Sequence, residues 1–148
     1  MAIQIENARP EDKRAVIELL QRGNLPINDL PVNLPNFFVA KEQDTYVGVA
    51  GLERFGSVGL LRSVAVDSQH QGRQIAATLV EELLEWAKLA NMHELYLITT
   101  TADRYFERHG FKPVNRQQVP DAIQQSEQFR ELCPASAIVM KRTVNLGE

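Results

Sequence analysis

The chain has 148 residues, 44% apolar and 24% charged, which suits one globular domain with a core of its own and therefore one active site. Its formal net charge is −3, with Lys and Arg interspersed among Asp and Glu, so the basic stripe of a nucleic-acid binder is excluded. Neither a signal-like start nor a run of about 18 apolar residues for a membrane span occurs, and the single cysteine, Cys133, excludes an intrachain disulfide; a cytoplasmic protein with one structural thiol is expected.

Ile3 and Ile5 alternate with polar neighbours as a first strand. Pro10, Glu11 and Asp12 then open a helix whose apolar face is Ala15, Val16, Leu19 and Leu20, and Gly23 is expected to end it. Asn24 to Pro35 has no usable period and reads as an ordered loop able to wall a pocket. Three β-rich runs come next as an antiparallel meander, Phe37 to Lys41, Tyr46 to Phe55 and Leu60 to Val66, with a hairpin turn at Phe55-Gly56-Ser57.

Gly72 to Asn91 predicts the clearest helix, with Ile75, Ala76, Leu79, Val80, Leu83, Leu84 and Ala87 on one face and Glu81, Glu82, Glu85 and Lys88 on the other. Leu95 to Ile98 is a strand, and with the strand before the helix it makes a β-α-β unit whose strands should be parallel neighbours. Asp103 to His109 predicts a short helix ended by Gly110, Phe111 begins a strand, Pro120 to Leu132 is helical, and Ala137 to Met140 is a last strand.

Chemistry is concentrated in Val64-Ala65-Val66-Asp67-Ser68-Gln69-His70-Gln71-Gly72-Arg73-Gln74-Ile75-Ala76, a strand that turns directly into a helix. Such a turn points backbone N–H groups outward at the positive end of a helix dipole, which suits phosphate. Gly72 lets an anion approach the backbone and Arg73 adds a charged contact; an ordinary strand-to-helix turn is the competing reading. The segment is neither the dinucleotide glycine fingerprint nor a P-loop, which argues against hydride and phosphoryl transfer. His70, His93 and His109 share no metal-ligand spacing, so no metal is expected.

Val64-Ala65-Val66 followed by Gln69-x-x-Gly72-x-Gln74-Ile75-Ala76 resembles the acetyl-CoA signature of the GNAT superfamily of N-acetyltransferases, and Tyr105-Phe106-Glu107-Arg108-His109-Gly110-Phe111 resembles its second motif. The order of elements from Ile3 to Met140 also matches that family's plan. The resemblance implies an α/β fold: a mixed central sheet splayed between two parallel strands, with helices on both faces. It also implies acetyl-CoA as co-substrate, its pantetheine arm against Val64, Ala65 and Val66 and its pyrophosphate on Gln71, Gly72, Arg73, Gln74, Ile75 and Ala76. The implied reaction is direct attack of a bound amine on the thioester, which asks little of side chains beyond positioning.

Two positions depart from the family pattern. Gln74 stands where glycine or alanine is usual, its side chain either crowding the phosphates or pointing into solvent. Phe106 stands where a tyrosine often protonates the leaving thiolate, and the neighbouring Tyr105 is turned from it by about 100° on a helix. Tyr105 is thus a general acid or a packed aromatic beside the cofactor. Glu53 is the candidate base or else an exposed strand glutamate; Arg54 and Arg62 are candidates to hold an acceptor carboxylate or to form surface ion pairs. Thr99 is placed to bond the pantetheine arm or to cap the following helix.

The tail from Ser126 to Ala137, after the second motif, is similar to small GNAT proteins encoded with arsenic-resistance genes and to the acetyltransferase portion of amino-acid N-acetyltransferases. The resulting expectation is an acetyl-CoA-dependent transferase acting on a small-molecule amine, an amino acid or its analogue. The alternatives are a non-catalytic acyl-CoA-binding module and a protein N-acetyltransferase. A homodimer accords with the family's habit.

Overall fold

The computed structural model describes residues 3–25, 27, 29–31, 33–70, 74–100, 102–126, 129–130 and 137–144. Its elements are β1 (Ile3–Asn7), α1 (Lys13–Arg22), β2 (Phe37–Glu42), β3 (Thr45–Phe55), β4 (Val58–Val66), α2 (Ile75–Leu89), β5 (Glu94–Thr99), α3 (Asp103–Glu107), β6 (Lys112–Val114), α4 (Asp121–Gln124) and β7 (Ile138–Thr143). The strands form one mixed seven-stranded sheet in the order β1-β2-β3-β4-β5-β7-β6, with β4 and β5 parallel as the β-α-β reading requires. The chain falls into two compact units, Met1–Leu52 with Ser63–Trp86, and Glu53–Arg62 with Ala87–Glu148.

In the first unit β1, β2 and β3 pair antiparallel. The apolar face of α1 buries Val16, Leu19 and Leu20 against Phe37, Val39 and Val49, with Leu30 and Leu34 from the connecting loop completing the cluster. Each such side chain contributes roughly 1.5–3 kcal/mol on leaving water. The proline-containing loop is therefore part of the core at these two residues. Ile75, Leu79, Val80 and Leu83 of α2 are buried, and the helix lies so close to β3 that a Cβ on Gly48 would come within 3.0 Å of Ile75 and Leu79.

In the second unit β5 pairs β7 along its whole length and β7 pairs β6, both antiparallel. Leu60, Tyr96, Val119, Ile123, Phe129 and Val139 form its buried cluster, flanked by Phe55, Val58, Ile98 and Val114. The parallel register of β4 with β5 runs from Val58↔Glu94 to Leu60↔Tyr96. β5 continues beyond Tyr96 bonded on its other side, through Thr99↔Ile138.

The helix boundaries bear out one sequence expectation and shift two others. Helix α1 ends at Gly23 as expected, with Asn24 following at φ 58° and the Leu25 amide donating to the Leu20 carbonyl, and Asn91 at φ 61° closes α2 in the same way. The start of α2 is Ile75, not Gly72, because Gln74 has φ 64° and left-handed backbone cannot join the helix; residues 71–73 lie outside the described set. The helix expected from Pro120 to Leu132 is interrupted after Gln124, where the Ser126 hydroxyl donates to the Ile123 carbonyl at 2.6 Å and accepts the Phe129 amide at 3.2 Å, and Phe129 and Arg130 are helical again. Residues 127–128 and 131–136, Cys133 among them, lie outside the described set.

Candidate active site

Within the first unit, the chemistry-bearing segment begins with a break in β4. Ser63 has φ 58°, a left-handed residue inside a strand, which kinks the chain and re-aims the residues after it. Val64, Ala65 and Val66 are half-buried, and Ala65 packs on the cluster beside α1, so alternation turns Val64 and Val66 to the opposite face. The strand then closes on Asp67, whose amide donates to the Val47 carbonyl at 2.8 Å.

Asp67 is fixed from two sides, with Arg22 Nη1 at 3.3 Å and His70 Nδ1 at 2.7 Å from its carboxylate. The other ring nitrogen of His70 lies 3.2 Å from Glu42 Oε1, tying the 3-10 turn Ser68–His70 to the end of β2. The hydrogen bond from His70 holds the Asp67 carboxyl below its usual range. Gln71, Gly72 and Arg73, expected to carry the phosphate contacts, lie outside the described residues. Gln74 is exposed, and its carbonyl receives both the amide and the hydroxyl of Thr78, at 3.0 and 2.9 Å, at the start of α2. Ile75 is 3% exposed and belongs to the core, whereas Ala76 is half-buried.

Within the second unit the structure brings Glu53 and Arg62 together and sets Arg54 apart. Arg62 Nη1 donates to Glu53 Oε1 at 3.2 Å, with the arginine side chain 1% exposed and the glutamate side chain 34%. Arg54 is exposed and spends its guanidinium on the carbonyls of Gly56 and Ala90, at 2.9 and 3.3 Å. Glu53 is thus a carboxylate held from inside and partly open to solvent outside.

On β5, Tyr96 is buried and donates to Glu94 at 3.4 Å; burial pushes its hydroxyl up to about 12. The Thr99 hydroxyl accepts the Ala102 amide at 2.9 Å, fastening the entry to α3. Tyr105 is half-buried among rings, 5.1 Å from Phe106 and 4.9 Å from His109 between centroids, with the Arg108 guanidinium 5.9 Å above it. Among the described residues no group of three or more His, Cys, Asp or Glu is arranged to hold a metal ion, and no helix is long and apolar enough to cross a membrane.

Sequence reasoning missed Ser63 and the Glu42–His70–Asp67 chain. No glycine marks the first, and the second joins residues 28 apart. The Glu53–Arg62 contact had a usable signal. A two-residue turn at Gly56 and Ser57 sets residues 53 and 62 on one face of the hairpin and Arg54 on the other.

Comparisons with known proteins bear on the family and the fold. The Acetyltransferase (GNAT) family model matches residues 6–111. The amino-acid acetyltransferase of Escherichia coli is 26% identical over 84% of this chain, which spans 30% of that protein's length. The amino-acid acetyltransferase of Mycobacterium tuberculosis is 27% identical over 97% of this chain and 84% of its own length. The fold is shared with N-acetylglutamate synthase from Neisseria gonorrhoeae in complex with coenzyme A and N-acetyl-glutamate, at TM-score 0.83 and 17% identity, over 98% of this chain and 36% of that one.

Proposed function

The chain belongs to the Acetyltransferase (GNAT) family, and from that premise we propose that it transfers the acetyl group of acetyl-CoA to the primary amine of a small molecule, an amino acid or a close analogue. The observation that carries the catalytic half is Glu53, anchored through Oε1 by a buried arginine and 34% exposed. The amino-acid class is supported by the relatives named amino-acid acetyltransferase.

In this reading Glu53 takes a proton from the acceptor's ammonium group. The freed lone pair forms the C–N bond at the thioester carbonyl, the C–S bond breaks, and the thiolate takes up a proton as free CoA leaves. Val64 and Val66 meet the pantetheine arm, and the turn before α2 carries the pyrophosphate. Of the residues expected on the pyrophosphate, Gln74, Ile75 and Ala76 are described. Gln74 holds the left-handed backbone that a residue without Cβ adopts most easily, and its exposed side chain leaves the donors to the main chain.

The test is release of free CoA from acetyl-CoA across a panel of amino acids and simple amines. Amine-dependent release by the wild type and its loss in Glu53→Gln support the reading. Saturable acetyl-CoA binding with no release for any amine leaves the non-catalytic acyl-CoA-binding alternative.

A further inference from the structure

Arg62 belongs to neither half of the chemistry as sequence placed it. A guanidinium whose side chain is 1% exposed is poorly disposed to collect a carboxylate arriving from solvent. Shut away from water, it costs several kcal/mol unless it is paired, and one partner is the glutamate that reaches outward. We infer that Arg62 is a positioning residue for Glu53: it fixes the rotamer and direction of the proposed base and makes no contact with the acceptor. The inference rests on the reading of Glu53 as proton acceptor.

The geometry is asymmetric in the required sense. Arg62 binds Oε1, and among the described residues Oε2 has no partner, so one oxygen is committed to holding and the other is left to accept a proton. A free glutamate side chain samples three dihedrals, and the ion pair removes most of that freedom on the solvent-facing residue. Arg62 also immediately precedes the left-handed Ser63, so the kink in β4 begins where the arginine is locked in. A lysine keeps the charge but offers a mobile point contact in place of a rigid planar fork.

The experiment compares Arg62→Met, Arg62→Lys and Glu53→Gln, singly and with Arg62→Met in the Glu53→Gln background. The acceptors are an amino acid that the wild type turns over and the same amine without its carboxylate. The expected result is a fall in kcat of about 10–100-fold for Arg62→Met, the scale on which a misplaced catalytic group costs rate. The acceptor KM and the acetyl-CoA dissociation constant should stay within about twofold, with partial recovery in Arg62→Lys.

Both acceptors should suffer the same loss, and Arg62→Met should add nothing once Glu53 is Gln. A loss confined to the acceptor bearing a carboxylate, or a rise in its KM alone, would overturn the inference in favour of substrate binding. Multiplicative effects in the double variant would overturn it as well. Should Glu53→Gln itself retain wild-type kcat, the assignment of the base fails first, and the two failures are thereby told apart. If Arg62→Met does not fold, Arg62→Lys against Glu53→Gln carries the same comparison.

Discussion

Arg62 Nη1 lies 3.2 Å from Glu53 Oε1, and the two differ in exposure, 1% for the arginine side chain against 34% for the glutamate. Neutralising the glutamate removes one charged partner from a buried cation. Glu53→Gln should lower stability by about 2 kcal/mol, since buried hydrogen bonds to charged groups are worth roughly 1.5–3 kcal/mol. Arg54→Ala, which removes an exposed side chain from two carbonyls, should change it by no more than about 0.5 kcal/mol. Urea unfolding of the two variants side by side checks the contrast.

Gln74 holds a left-handed backbone at φ 64° with its side chain in solvent. Gln74→Gly should relieve strain of about 1–2 kcal/mol, part of it offset by the greater freedom of the unfolded chain, for a net gain of about 0.5–1 kcal/mol. Acetyl-CoA affinity measured by calorimetry should be unchanged or tighter. Gln74→Val, with its branched Cβ, should lose on both counts.

Gly51 lies under the ring of Phe37, whose nearest atom would be 2.4 Å from an added Cβ. Gly51→Ala should cost about 1–3 kcal/mol through overpacking. Pairing it with Phe37→Leu should return part of that loss, a coupling that a double-mutant cycle in thermal unfolding measures directly.

Tyr96 links pH to stability at the alkaline end. Its hydroxyl is pushed up to about 12 by burial and by Glu94 beside it, above the ordinary value of about 10. A raised value means the folded state favours the protonated form. The contribution is complete below pH 10 or so and is lost as pH climbs towards 12. Tyr96→Phe should flatten the fall in melting temperature across that interval and leave the neutral region with a small constant offset.

Much of the fold was legible because it rests on periodicity. The apolar stripe of α2 named its own buried face, and Leu79, Val80, Leu83 and Ala87 are all fully enclosed. The parallel pairing of β4 and β5 followed from a helix separating two apolar runs. Boundaries were less legible, because they depend on single backbone conformations that composition does not announce. Left-handed Gln74 delays the start of α2, and a serine hydroxyl interrupts the helix after Gln124 before Phe129 and Arg130 are helical again.

The site was legible in part for the same reason. The segment from Val64 to Ala76 announces its turn through strand, glycine and helix in succession. The division of labour between Arg54 and Arg62 was not read, because it depends on which face each strand residue takes, and that hangs on the hairpin register. His70 became informative only once three elements had brought Arg22, Glu42 and Asp67 around it.

Among the described residues, left-handed backbone is carried by Gly56 and Gly110 but mostly by residues with side chains: Asn24, Leu34, Asn36, Gln43, Ser63, Gln74 and Asn91. Leu34 and Ser63 are buried, whereas Gln43 stands exposed in the tight connection between β2 and β3. Heat-tolerant forms of the protein are accordingly to be sought at its corners. Exchanging Gln43 for glycine or asparagine leaves the packed interior and the acetyl-transfer residues untouched, and margin gained there is free to offset mutations that reshape acceptor choice.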